Sequence, residues 1–200
     1  MLKVLEINSM NNPSTRRALF TSLLLALPVV GTLLFYSLQT TLAASVAASQ
    51  REHLTAAEIE LVRDTQELDK RTQVFVKAVE RRMLVMTDPA AAAKQAQKDV
   101  ELWGELPQGT RTQLFSDIGR ILDEAITNID DAAERSPQST LLAKSLRILA
   151  EASQSLLPRL IAKRDAASTE AERDALEQAI ENAQTVIEAA KKLPPEEKKK

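Results

Sequence analysis

The sequence predicts an all-α protein in which an N-terminal hydrophobic helix precedes an antiparallel bundle of four long helices plus one short helix. Three observations predict this fold class. Residues 18–50 carry no charge, apolar residues after position 50 recur every three or four positions, and glycine and proline fall between the periodic segments. No run alternates with period two for long enough to predict a strand.

The uncharged run of 33 residues follows directly on Arg16-Arg17 and predicts that the chain leaves the cytoplasm. Residues 19–38 are rich in Leu, Val and Phe, and a helix of this length spans roughly 30 Å, the thickness of a bilayer's hydrocarbon core. Residues 40–49 are small and weakly apolar, as signal peptidase requires before its cut. The run is therefore either a cleaved signal peptide or a retained membrane anchor.

Charge on the N-terminal side predicts the orientation. Lys3 and the arginine pair face a single acid, Glu6, so residues 1–17 form a basic segment that stays cytoplasmic. Everything after residue 50 is then expected on the outer, periplasmic or extracellular, side of a bacterial membrane. Residues 51–193 are predicted to form the bundle, and residues 194–200 a disordered basic tail.

Composition excludes several function classes. After residue 50 there are 23 basic and 27 acidic residues, a net charge of −4, without the clustered basic face that nucleic acid requires. The chain has no cysteine, which excludes thiol nucleophiles and cysteine-ligated metals. Its four glycines form no phosphate-binding loop.

The first two helices are predicted from their caps. Thr55-Ala-Ala-Glu58 is a capping box, and the apolar pattern behind it predicts one helix as far as about Met86, a rod of roughly 48 Å. Asp88-Pro89 begins a second helix, which is the short one and ends near Trp103.

The remaining helices follow from turns and prolines. Residues 104–109 predict a turn, residues 110–135 a third helix, and Ser136-Pro137 its end and the cap of a fourth. Pro158 lies inside the fourth helix and is expected to kink it. Thr169-Glu-Ala-Glu172 is a second capping box, which starts the fifth helix; Pro194-Pro195 ends it.

Candidate chemistry on the predicted helices is sparse. His53 is the only histidine and is expected to be exposed, which excludes a di-iron site and a Ser-His-Asp triad. Asp117, Glu124 and Asp131 recur every seven residues and therefore line one stripe of the third helix. The stripe could be a cation-binding ridge or a solvated helix face. Its position beside the apolar stripe favours the solvated face.

Several other side chains have a functional and a structural interpretation. Met83 and Met86 could form a copper site, but their place in the apolar stripe favours the core. Trp103 could be a stacking platform, but packing at a helix end is favoured. Arg81-Arg82 is interpreted as a solvated pair or as a partner of nearby acids rather than an anion site. The basic residues at 191–192 and 198–200 suit contact with anionic lipid or a solubilising tail.

No catalytic, cofactor-binding or metal-binding residue is therefore assigned, and no cofactor is expected. The sequence favours a non-enzymatic, exported or membrane-anchored bundle with a structural or protein-interaction role in the cell envelope. The alternative is a periplasmic ligand- or metal-binding, sensor-like helical domain. The expected partners are the membrane, through residues 19–38 if they are not cleaved, and either another protein or a second copy of the chain. Nucleic acid is not expected.

Overall fold

The structure is a computed structural model, and it describes residues 51–194. These residues are all-helical, with no strand among them. In chain order the helices are α1 Ala56–Asp64, α2 Leu68–Thr87, α3 Pro89–Trp103, α4 Arg111–Arg135, α5 Thr140–Asp165 and α6 Glu170–Ala190. The predicted helical bundle is confirmed. The predicted N-terminal hydrophobic helix and basic tail lie outside the described residues, as does the cleavage question.

The four longest helices form the bundle. Around its circumference the order is α2, α4, α6, α5, and α4 and α5 lie across the diagonal with few contacts. The two shorter helices, α1 and α3, pack against each other and against α2. No helix within residues 51–194 is both long enough and apolar enough to cross a bilayer.

Two neighbouring pairs of helices in the bundle are parallel, a detail that the predicted antiparallel bundle did not specify. Asp69 of α2 contacts Lys144 of α5, and further along both helices Glu80 contacts Arg159, so these two helices are parallel. α2 and α4 are antiparallel, because contacts later along α2 fall earlier along α4.

The second parallel pair is α4 with α6. Arg111 lies beside Glu172 near the start of both helices, and the Asn182 amide donates to the Gly119 carbonyl oxygen (2.8 Å) further along. The parallel pairs arise because the short α4–α5 connection crosses the bundle diagonally. Each bundle helix runs opposite to the bundle helix that precedes it in the chain.

The core consists of the apolar stripes of the four long helices. The largest fully buried apolar side chains are Phe75, Met83, Phe115, Ile118, Ile121, Leu149, Leu156, Leu160, Leu176 and Val186. Each aliphatic side chain buried in this way contributes about 1.5–3 kcal/mol relative to an exposed one. Met83 is fully buried and Met86 packs against the core, so their interpretation as core residues is confirmed.

The helix starts agree with the predicted caps, with two adjustments. Thr55 forms the complete capping box with Glu58, and Asp88 caps α3. Ser139, rather than Ser136, caps α5 through its bond to the Leu141 amide. Thr169 accepts from the backbone amide of Glu172, but the Glu172 carboxylate turns to Arg111, so this box is only half formed.

The prediction of a single helix from Thr55 to Met86 is wrong. The helix breaks at residues 65–67, and Thr65 takes an extended conformation (φ −82°, ψ 103°). This segment contains no glycine or proline, so no local signal marks the break. The described chain therefore has two short helices, α1 and α3, where the sequence predicted one.

Candidate functional site

The break after α1 assembles a buried ionic cluster that we define as Glu58, Arg81, Arg82 and Asp117. The Thr55 cap starts α1 and places Glu58 in its first turn, while the break sends α1 back along α2. The two arginines lie near the end of α2, and Asp117 comes from α4. The cluster therefore joins three helices.

Glu58 is the centre of the ionic cluster and is fully buried. Its Oε1 accepts from Arg81 Nη1 at 2.6 Å and from Arg82 Nη1 at 3.1 Å. Its Oε2 accepts from Arg82 Nη2 at 2.8 Å and from the Thr55 backbone amide at 2.9 Å. One carboxylate thus bonds to two guanidinium groups and also completes a helix cap.

Arg82 connects this carboxylate to the start of the described chain. It is 1% exposed, and its Nη2 donates to the His53 carbonyl oxygen at 2.6 Å. A further bond goes to the Ala78 carbonyl oxygen at 2.8 Å, and Nε lies 3.8 Å from Asp117 Oδ2. The interpretation of the arginine pair as partners of nearby acids is confirmed, whereas a solvated position is wrong.

Arg81 holds the turn after α3. Its Nη2 donates to the Glu105 carbonyl oxygen at 2.7 Å, and its guanidinium lies 5.4 Å from the centre of the Trp103 ring. Gly104 has φ +60° there, and a Cβ at this position would lie 2.8 Å from the Ala57 Cβ. A glycine is therefore required for α1 to approach this turn.

Trp103 is a packing residue at the end of α3, as the sequence analysis favoured. It is 6% exposed, and Lys77 lies 4.5 Å from the centre of its ring, a cation–π distance. Lys77 also binds Asp99 at 2.7 Å, which with the lysine charge lowers the pKa of that carboxyl group. The indole ring is therefore in contact with Lys77 and Arg81 of the protein itself, which does not favour its use as a stacking platform.

The predicted exposure of His53 is wrong. Its side chain is 17% exposed, and Nε2 lies 2.7 Å from Glu124 Oε2 on α4. The neighbouring Leu54 belongs to the hydrophobic core. The chain that enters the bundle is thus fixed from residue 53 onward.

The acidic stripe on α4 does not act as one ridge. Asp117 is 3% exposed, so its predicted solvated position is wrong, and it joins the ionic cluster instead. Glu124 pairs with His53, while Asp131 is exposed. Within the described residues, no group of three or more His, Asp or Glu side chains is arranged to hold a metal ion.

Two further acids, which the sequence analysis did not single out, sit in unusual surroundings. Asp69 is 1% exposed, and the hydrogen bond from Lys144 (2.5 Å) holds its pKa below the usual range although burial opposes this. Burial, with the charges of Asp131 and Glu134, raises the pKa of Asp130 to about 6. Asp130 lines a small, solvent-open recess between α4, α5 and α6.

The ionic cluster is the most extensive convergence of buried charge in residues 51–194. Comparisons with protein-family models, curated proteins and solved structures give no match for this chain. The chemistry of the cluster must therefore be read from its own contacts. Its two arginines bond to the Glu58 carboxylate and to backbone carbonyl oxygens of separate segments, an arrangement that holds helices together.

The sequence pattern marks the arginine pair but not its principal partner, Glu58. Glu58 is 23 positions from Arg81 and was assigned only a capping role, which it also fulfils. The sequence does contain an acid in the first helical turn and two consecutive arginines further along. Their pairing can be predicted only once α1 is known to fold back along α2.

Proposed function

We propose that this chain is a non-enzymatic helical-bundle protein, exported across or anchored in the cytoplasmic membrane, with a structural or protein-interaction role in the cell envelope. The observation that carries the proposal is the uncharged run of residues 18–50 behind Arg16-Arg17. Such a run favours transfer into or across a bilayer, with the preceding positive charges left inside.

The contacts of the first described residues support a structural role. The uncharged run ends at Gln50, and His53 is already bonded to Arg82 and Glu124. Only Arg51 and Glu52 therefore separate the end of the run from His53, which the bundle holds. A short connection of this kind suits a protein whose position relative to the membrane matters.

The buried charges support an interaction role rather than catalysis. Glu58, Arg81 and Arg82 are used in contacts between helices, and Asp69 is used in the same way through Lys144. Catalytic groups, in contrast, are arranged around space for a substrate. We therefore place the function on the outer surfaces of the helices.

The compartment is tested on the protein isolated from its own cell. We expect external protease to digest residues after 50, together with an N-terminus near Ala44 or Ala48 if the run is cleaved, or Met1 in the membrane fraction if it is retained. An intact Met1 chain in the cytosolic fraction would contradict the proposal.

The non-enzymatic role is tested by substrate screening with a buried variant. Asp69→Asn keeps the size of the side chain and removes its charge, and exposed Asp123→Asn is the matched control. Turnover that disappears only in Asp69→Asn, with the circular dichroism spectrum unchanged, would overturn the proposed role.

A further inference from the structure

The connection between α1 and α2 is short and has an unusual composition for a sharp bend. Its residues, Thr65, Gln66 and Glu67, include no helix breaker, and the apolar pattern of α1 resumes directly after them at Leu68. Glycine or proline commonly enforces such a reversal. Here the sequence is compatible with both a bend and a continuous helix.

The bend is held by side-chain hydrogen bonds. Thr65 Oγ1 donates to the Leu61 carbonyl oxygen at 2.7 Å, and Gln66 Nε2 donates to the Arg63 carbonyl oxygen at 3.0 Å. Arg71 Nε donates to the Thr65 carbonyl oxygen at 2.8 Å. If residues 65–67 became helical, backbone hydrogen bonds would form there, and these side chains could be solvated instead.

The attachment of α1 is mainly ionic. Glu58 is the only fully buried residue of α1, and Ile59 and Val62 are only partly buried against the core. Among the described helices, α1 contacts only α2 and α3. Its departure therefore leaves the four-helix core of α2, α4, α5 and α6 in place.

Straightening of the connection separates the two halves of the ionic cluster. Along one continuous helix, Glu58 and Arg81 would lie about 35 Å apart, since each residue advances the helix by about 1.5 Å. Glu58 could then no longer reach its own arginines, which would be left buried without their carboxylate. A second copy of the chain offers an identical carboxylate on an identical helix.

We propose that two copies of this chain exchange α1, so that Glu58 of each copy enters the Arg81–Arg82 site of the other. The exchange reproduces the contacts of α1 with α2 and α3, and it replaces the side-chain bonds of the bend with helical hydrogen bonds across residues 65–67. Short connections that resist their bend favour such exchange. A second copy of the chain would then be a partner for the interaction role proposed above. The exchange itself does not depend on that role, but its biological significance does.

Two hinge variants of the full chain, purified in a mild detergent, test the exchange. Glu67 has φ −75° in the bend, which proline accepts, but proline in a continuous helix would clash with the preceding turn. We expect Glu67→Pro to be monomeric. Replacement of Thr65, Gln66 and Glu67 together by alanine should raise the dimer association constant at least tenfold, as measured by light scattering after gel filtration.

The matched control is Gln154→Ala with Ser155→Ala, which raises helix propensity at exposed positions of α5. It should leave the association constant at the wild-type value. Equal association constants for wild type, Glu67→Pro and the alanine variant would overturn the proposal. If the alanine variant does not fold, the comparison of wild type with Glu67→Pro decides.

Cross-linking distinguishes exchange from simple association, because the chain has no cysteine of its own. One copy carries His53→Cys and the other Glu124→Cys, two positions whose native side chains lie 2.7 Å apart. Residue 53 moves with α1, so a short bismaleimide should join the two different copies only in an exchanged dimer. A dimeric alanine variant without this product would overturn the exchange. The compartment test described above reads a different property, so the two proposals fail separately.

Discussion

The side chain of Glu58 makes more hydrogen bonds than that of any other residue in α1. Two arginines and a backbone amide share its two oxygens in a fully buried position. A buried ion pair adds little net stability compared with an apolar pair, but removal of one partner leaves an uncompensated charge. The residue is therefore expected to be far more sensitive to substitution than its exposed neighbour Glu60.

Glu58→Gln should lower the free energy of unfolding by about 3 kcal/mol, because Arg81 and Arg82 lose their shared carboxylate. Urea denaturation of the full chain in detergent measures the change. Glu60 pairs only with Arg63 on the exposed face, so Glu60→Gln should cost no more than about 0.5 kcal/mol. Similar losses for the two variants would contradict a central role for Glu58.

Asp130 provides a second prediction at the residue scale. Its pKa of about 6 exceeds the ordinary value of 3.8, so the ionised carboxylate is less favourable in the folded than in the unfolded chain. This cost is absent below about pH 4 and complete above about pH 6. Asp130→Asn should therefore stabilise the protein by about 1 kcal/mol at pH 7, after allowance for solvent screening.

The measurement is the urea midpoint of Asp130→Asn and wild type at pH 7 and pH 4, with the gain expected to vanish at pH 4. Asp131→Asn, which removes one repelling charge from an exposed position, should give a smaller gain at pH 7. A gain for Asp130→Asn that stays constant between the two pH values would show that the carboxylate charge is not its cause.

At the scale of single elements, α5 has an unfavourable residue in its interior. It is continuous from Thr140 to Asp165 although Pro158 lacks the amide hydrogen of a helical residue. Pro158 is exposed, whereas Leu156 and Leu160 on either side are buried. Burial of the surrounding stripe thus outweighs the unfavourable proline.

Pro158→Ala should raise the free energy of unfolding by about 2 kcal/mol, because alanine restores the backbone donor and exposes no new apolar surface. Thermal unfolding followed by circular dichroism measures it, with exposed Gln154→Ala on the same helix as the control, for which we expect a change below about 0.5 kcal/mol. An unchanged or lower melting temperature in Pro158→Ala would mean that the ring contributes to packing.

The sequence predicted most element boundaries because caps are local. Thr55, Asp88 and Thr169 satisfy amides within three residues, and these interactions can be recognised before the fold is known. The break at residues 65–67 depends instead on Arg71 and on distant partners of α1, which no local pattern reveals. The burial of Asp117 was missed for the same reason, since Arg82 neutralises it from another helix.

For the molecule as a whole, the contacts divide the described chain into a four-helix core and a two-helix periphery. α2, α4, α5 and α6 share the apolar interior, while α1 and α3 add Glu58 and Trp103 at one side. Local opening should therefore begin at the periphery, where fewer apolar contacts must be broken.

Native-state hydrogen exchange tests this division. Amides of α1 are expected to exchange through local opening, with protection at least tenfold lower than that of the amides around Ile118 and Ile121 in α4. Glu67→Pro, which keeps the bend, should leave this order unchanged. Equal protection in α1 and α4 would indicate that all six helices open only together.

The charges buried on α2 also bear on how the chain is made. α2 leaves the ribosome before α4 and α5, its neighbours in the bundle, have been synthesised. Asp69, Arg81 and Arg82 are then fully hydrated on the same helix that carries Phe75 and Met83. Hydrated charge beside an apolar stripe discourages premature association, so we expect these charges to keep the unfinished chain soluble before they are buried in the bundle.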